Sequence, residues 1–206
     1  MKKNKFIAVT MRVDFFKKRN EIRSSLDNKM LEWIKNIGFH PFLLPSIKHL
    51  DLDVILSNLK ISGIIISGGN SIKKGSPRYE VEKKLLNYSI KNKIPVLGIC
   101  HGMQMMSEIE GGKLKKIKNH VNRANYLINL SNNINYPKTV KCYHNDTIKN
   151  LSKNFRILCT CKKGSIEAIS HKKLKWLGWM FHPERDKIFN LKLIKIARPF
   201  FQGKKI

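Results

Sequence analysis

Residues 94–112 read IPVLGICHGMQMMSEIEGG, and no other stretch restricts the fold as tightly. Ile94-Pro95-Val96-Leu97 has the length and composition of a buried parallel strand, with Pro95 confined to its opening. Gly98-Ile99-Cys100-His101-Gly102 follows, and the spacing then predicts a helix over residues 103–110, closed by Gly111-Gly112. A strand, Gly-x-Cys-x-Gly and a helix make the pattern of a nucleophile elbow with Cys in place of Ser. A reactive side chain on so sharp a turn needs glycine on either side, because a Cβ there would strike the neighbouring strand or helix. The pattern predicts an exposed Cys100 at the carboxyl edge of a sheet, beside a helix N-terminus whose partial positive charge favours thiolate.

The segments around this turn extend the same architecture. Residues 6–10 (FIAVT) predict a first central strand, and residues 11–14 leave its carboxyl end, where ligands sit in open α/β sheets. Arg12 is therefore a candidate anion contact. Apolar residues Leu26, Met30, Leu31, Ile34 and Ile37 predict a helix over residues 23–38, followed by a strand over 39–45 and a short helix over 52–59. The run 61–67 predicts a buried strand ending in Gly68-Gly69-Asn70, and paired glycines there let backbone N–H groups face a ligand, as an oxyanion hole requires. A helix over 79–91 leads to the elbow strand. This alternation predicts a doubly wound, flavodoxin-like α/β fold, with a mostly parallel central sheet and helices on both faces. Beyond Gly112 the segments 113–118, 124–130, 139–143, 155–160, 166–170 and 174–180 are short and separated by turn residues, which predicts an added small β region. Residues 190–200 predict a closing amphipathic helix, and no linker or repeat divides the 206 residues, so one domain over 1–206 is expected.

The formal net charge is +27, from 41 Lys+Arg against 14 Asp+Glu. The lysines are scattered over nearly every surface segment, which fits a solvated exterior and argues against a nucleic-acid partner. The same field would draw in a polyanionic small molecule such as a nucleotide or pyrophosphate. No run of apolar residues is long enough to span a membrane, and the opening MKKNKFIAVT is too short for a signal-peptide core, so a cytoplasmic protein without membrane contact is expected. Cys100, Cys142, Cys159 and Cys161 lack the paired spacing of a zinc site, and neither a disulfide framework, a metal nor a cofactor is expected. Cys159 and Cys161 read as core filling, and His120 as a surface histidine.

His182-Pro183-Glu184 is the second informative stretch. On an extended segment both ionisable side chains would point to one side, which supplies a base for a thiol nucleophile and an acceptor to fix that base's tautomer. With SGG at 67–69, GICHGMQ at 98–104 and FHPE at 181–184 in this order, the whole chain resembles the class I glutamine amidotransferases. Arg78 and Glu82 in RYEVE, the segment Cys142-Tyr143-His144, and GSIEA at 164–168 resemble the gamma-glutamyl hydrolase branch of that superfamily.

The resemblance implies a triad of Cys100, His182 and Glu184, with the backbone N–H groups of Gly69 and His101 stabilising an oxyanion. It also implies that Gln104 holds the α-amino and carboxylate ends of a glutamyl group, and that Cys142, Tyr143 and His144 bind that group partly through their backbone. Cys142 stands where the branch has Ser, and Tyr79 where it has Asp. The connection from Gly69 to Arg78 is short, which would leave Gly68, Asn70, Lys73, Lys74 and Arg78, with Arg12, near the pocket mouth to meet a leaving group. The implied activity is hydrolysis of a γ-glutamyl amide through a glutamyl thioester. Its small-molecule substrate would be an anionic nucleotide conjugate, as in members that hydrolyse γ-glutamyl nucleotide phosphoramidates for bacterial capsule synthesis. A glutaminase component that passes ammonia to a partner synthetase, and a γ-glutamyl-amine hydrolase, are the alternatives. The oligomeric state is not fixed by the sequence.

Overall fold

A computed structural model describes residues 5–204; residues 1–4, part of the opening weighed above as a signal core, and residues 205–206 lie outside the described chain. In chain order the elements are β1 (Phe6–Thr10), β2 (Arg12–Phe16), β3 (Glu21–Ser25), α1 (Asn28–Asn36), β4 (His40–Leu44), α2 (Leu52–Leu59), β5 (Gly63–Ile66), α3 (Pro77–Asn92), β6 (Val96–Ile99) and α4 (His101–Ile109). Then follow β7 (Lys113–Lys116), β8 (Val121–Asn129), β9 (Thr139–Tyr143), β10 (Asp146–Asn150), β11 (Phe155–Cys161), β12 (Ile166–His171), β13 (Trp176–Trp179) and α5 (Leu191–Phe201).

The main sheet runs β4-β1-β5-β6-β13-β12-β11-β8-β9. Pairings from β4 through β13 are parallel and those beyond β13 are antiparallel. The parallel half has the flavodoxin-like order, and its carboxyl edge is where such sheets place ligands. Because alternate strand residues face opposite sides, two cores form. Ile7, Val9, Ile65 and Leu97 pack against Trp33 and Ile34 of α1 and Leu193 and Ala197 of α5. Ala8, Ile64, Ile66 and Val96 pack against Leu56 of α2, Leu85 of α3 and Met103 of α4. Among the described residues, no helix is long and apolar enough to cross a membrane.

The structure corrects two expectations and adds a strand. Residues 23–27 are not helical: Asp27 caps α1 by accepting from Lys29 N, and residues 21–25 pair with β2 as a hairpin that carries Arg12 on a strand instead of a loop. Arg23 closes that hairpin with its guanidinium 4.4 Å over the Phe16 ring. The expected added β strands are present, and β12, β11, β8 and β9 continue the main sheet. Finally, β10 is a strand that the sequence does not announce; it pairs with β7 in a separate ribbon, and DTIKN offers too little alternation to be read alone.

Candidate functional site

The elbow forms with no connector at all. β6 ends at Ile99, α4 begins at His101, and Cys100 between them sits at φ 51°, ψ −101°. A non-glycine residue held there costs on the order of 1–3 kcal/mol, so its neighbours must enforce it. A Cβ on Gly98 would lie 2.5 Å from the Gly102 carbonyl carbon, and one on Gly102 would lie 2.1 Å from the Ile66 oxygen. The Cys100 N–H donates to Trp179 O at 2.7 Å, and Gln104 N–H donates back to Cys100 O at 3.1 Å. Cys100 is only 6% exposed, so the thiol is buried and does not project from the sheet edge.

β13 delivers the second group. His182 keeps extended backbone, but Pro183–Arg185 form one 3-10 turn, so a tight turn, and not a continuous strand, brings Glu184 back to the imidazole. His182 Nδ1 lies 2.6 Å from Glu184 Oε1, and both side chains are buried. The edge of the His182 ring meets the Tyr143 ring at 5.6 Å between centroids, and the Arg185 guanidinium lies 4.4 Å over Tyr143. Gly68 completes the fit, because a Cβ there would come within 2.5 Å of His182 Cε1. Burial pulls the His182 pKa down, but the Glu184 carboxylate and a hydrogen bond shared with the Cys100 thiol outweigh it and hold the imidazole up at about 9. A folded-state pKa above the unfolded one stabilises the protein below about pH 6.5, and that contribution is lost as pH rises through the folded value. Glu184→Gln removes the countercharge that opposes burial, so the His182 titration midpoint should fall from about 9 in a histidine-resolved NMR titration. An unchanged midpoint would mean that another group sets it.

A buried polar network lies beneath the glycine loop. Arg78 Nε donates to Glu82 Oε1 at 2.7 Å, and Arg78 Nη2 donates to the carbonyls of Ser67 at 2.7 Å and Gly68 at 3.2 Å. His101 bridges Glu82 Oε2 at 2.7 Å and the Asn70 carbonyl at 2.6 Å. Thr10 Oγ1 donates to Glu82 Oε1 at 3.0 Å and accepts from Ser67 N at 3.1 Å. Burial raises the Glu82 pKa, but His101 and Arg78 together hold it below the ordinary carboxylate value. Arg78, expected at the pocket mouth, is 3% exposed and fully engaged here. Its partner Glu82 stands one helical turn along α3, an i,i+4 spacing legible in the sequence, whereas nothing local marks Thr10.

The remaining candidates divide. A cavity of about 250 Å³ is lined by Arg12, Gly68, Gly69, His182, Glu184 and Arg185. Gly69 holds φ +133°, and a Cβ there would meet the Arg12 and Arg78 side chains. Arg12 is ion-paired with Asp14 at 3.0 Å. Asn70 spends its side-chain amide on both backbone groups of Val13. Lys73 is exposed beside Asn70 and His101 in a second cavity of about 200 Å³. Lys74 pairs with Glu108 at 3.5 Å, away from the first cavity. Gln104 Nε2 donates to Asp146 O at 3.0 Å. Along β9 the side chains alternate: Tyr143 reaches the His182 ring, while Cys142 is buried with its thiol 3.3 Å from Glu167 Oε2 and His144 is buried beside it. The Cys142 and His144 side chains therefore do not line the cleft. His120, expected at the surface, is 0% exposed, and its ring lies 5.0 Å from the His144 ring, tilted by 50°.

Comparisons with known proteins give the chain its family. A model of the "Glutamine amidotransferase class-I" family matches residues 23–188. A gamma-glutamyl-CDP-amidate hydrolase from Campylobacter jejuni is 28% identical over 92% of this chain and 96% of its own length. A GMP synthase (glutamine-hydrolyzing) subunit from Methanococcus vannielii is 33% identical over 65% of this chain and 70% of its own length. A GMP synthase (glutamine-hydrolyzing) from Dictyostelium discoideum is 31% identical over 63% of this chain, and the match spans only 19% of that longer protein. The crystal structure of a glutamine amidotransferase from Thermotoga maritima shares the fold, with a TM-score of 0.68 at 20% identity over 98% of this chain and 86% of that one.

Proposed function

The chain belongs to the class I glutamine amidotransferase family, and from that premise we propose that it hydrolyses a γ-glutamyl amide through Cys100, with His182 and Glu184 as base and orienter. The observation that carries the reading is the strained Cys100 turn set against a buried imidazole whose far nitrogen is fixed by a carboxylate at 2.6 Å. In this mechanism Cys100 Sγ attacks the γ-carbonyl carbon while His182 holds the thiol proton. Collapse of the tetrahedral adduct passes that proton to the leaving nitrogen and forms a glutamyl thioester. Water, deprotonated by the same imidazole, then cleaves the thioester and releases L-glutamate and Cys100. The Gly69 and His101 N–H groups would face the oxyanion, one on a glycine-only backbone conformation and the other at the start of α4.

For the leaving group we favour an anionic nucleotide phosphoramidate, as in gamma-glutamyl-CDP-amidate. End-to-end coverage of the Campylobacter hydrolase supports a free-standing hydrolase of that kind, and the cations Arg12 and Arg185 beside the cleft suit a pyrophosphate. The second reading, a glutaminase component that delivers ammonia to a synthetase, is favoured by the likeness to the Methanococcus GMP synthase subunit. The test compares kcat/KM of the purified chain on glutamine, a γ-glutamyl amine and γ-glutamyl-CDP-amidate. The first reading expects the phosphoramidate to lead by at least about 100-fold, equal to some 2.7 kcal/mol of transition-state discrimination. Equal or greater activity on glutamine would overturn it.

A further inference from the structure

On the face of β9 turned away from Tyr143 and His182, polar side chains converge in a space closed to solvent. His120, His144 and Glu167 are all buried, and their ligand atoms lie within 4.8 Å of one another. His120 Nδ1 is 3.0 Å from the Lys118 carbonyl, and His144 Nδ1 is 3.0 Å from the Asp146 carbonyl. A carbonyl can only accept, so each Nδ1 carries a proton, and the neutral tautomer of each ring that a metal would select presents an Nε2 lone pair. His144 Nε2 lies 3.7 Å from Glu167 Oε1, and neither atom has a hydrogen-bond partner. His144 Nε2 and Glu167 Oε1 thus face each other in a buried space with no hydrogen-bond partner, an unfavourable arrangement that a bound cation would relieve.

Two thiols complete the surroundings. Cys161 Sγ is 3.6 Å from His120 Nε2. Cys142 donates its thiol proton to Glu167 Oε2 at 3.3 Å. Cys142 therefore orients the carboxylate, as groups behind metal ligands do. The backbone carbonyls that fix both imidazoles serve the same purpose.

We propose that His120, His144, Glu167 and Cys161 form a closed tetrahedral site for a divalent cation of the zinc class. Two neutral imidazoles, one carboxylate and one thiolate balance a dication and leave the buried site uncharged. Metal–ligand bonds of about 2.0–2.3 Å put tetrahedral ligands roughly 3.4 Å apart, so the three ligand atoms within 4.8 Å need a contraction of about an ångström, and Cys161, 3.6 Å from His120 Nε2, must turn in as the fourth. Cys161 also lines a surface cavity of about 440 Å³, which gives the ion a way in. The cavity is rimmed by Arg123, Lys162 and Lys163, so loading should speed up as salt screens the rim. A bound ion would tie the loop before β8, the exit of β9, the end of β11 and the start of β12 into one unit, behind the wall that places Tyr143 against His182. This site is independent of the chemistry assigned to Cys100.

Chelator-treated full-length chain titrated with Co²⁺ and Zn²⁺ tests the site. One Co²⁺ per chain with a tetrahedral spectrum and a thiolate charge-transfer band is expected, together with a higher melting temperature on adding Zn²⁺. Cys161→Ser should abolish the charge-transfer band, Glu167→Gln should weaken binding at least about 100-fold, and Cys100→Ser should leave stoichiometry and spectrum intact. A wild-type chain that is folded by circular dichroism yet takes up neither ion stoichiometrically overturns the proposal. So does a spectrum unchanged by Cys161→Ser and Glu167→Gln, or one lost with Cys100→Ser, which would move the ion to the cleft.

Discussion

Cys100→Ala should lower kcat for γ-glutamyl amide hydrolysis by a factor on the order of 10⁵ to 10⁶, with substrate still bound. In the proposed mechanism Cys100 Sγ forms the thioester, so its loss would leave only the proposed oxyanion donors and His182 to act on water, which is why the expected loss is near-total and not modest. Alanine at φ 51° is strained much as cysteine is, so the melting temperature should stay close to that of the parent, and the kinetic loss cannot be blamed on unfolding. Calorimetric substrate binding to the variant, beside single-turnover kinetics of the parent, separates the two effects. Hydrolysis retained at the parental rate would remove Cys100 from the mechanism.

The second large effect is expected at Glu82, which never touches the cleft. Its carboxylate receives Arg78, His101 and Thr10 at once, all of them buried. Glu82→Ala leaves a guanidinium without its counterion inside the protein, a change that costs roughly 3–5 kcal/mol. In a chain of this size that lowers the melting temperature by roughly 6–20 °C. Because the folded-state pKa of Glu82 lies below its ordinary value, its contribution is complete above about pH 4.3 and is lost as pH falls through the folded value. The gap in melting temperature between parent and variant should therefore be widest near neutrality and narrow on acidification. Activity should fall as well, since Arg78 holds the Ser67 and Gly68 carbonyls on which the glycine loop turns. A variant as stable as the parent at pH 7 would show that the network is incidental.

These two sites also mark where sequence reading succeeds and stops. The elbow is legible because its demands are local: glycine at 98 and 102 is dictated by contacts within one turn and one neighbouring strand. The parallel half of the sheet follows from uninterrupted apolar runs at helix-length separations. By contrast, the periodicity of Leu26, Met30 and Ile34 runs on backwards past Asp27, and only that residue's capping role separates the helix from the β2–β3 hairpin. The burial of Arg78 depends on Glu82 and on two carbonyls of another loop. His120 reads as a surface residue because what buries it, His144 and Cys161, arrives through pairing of β8 with β9 and β11. Long-range pairing leaves no mark on the residues nearby in sequence.

The backbone at Cys100 has a wider consequence. The residue is uphill by itself and is kept there by the strands on either side, through Ile99 opposite Trp179 and the Cys100 N–H on the Trp179 carbonyl. Relaxation of the turn would have to tear that ladder, so the sulfur cannot lose its aim piecemeal while the sheet survives. Its rate of alkylation should then act as a gauge of the whole domain's cohesion, steady through warming and collapsing only with the cooperative melt.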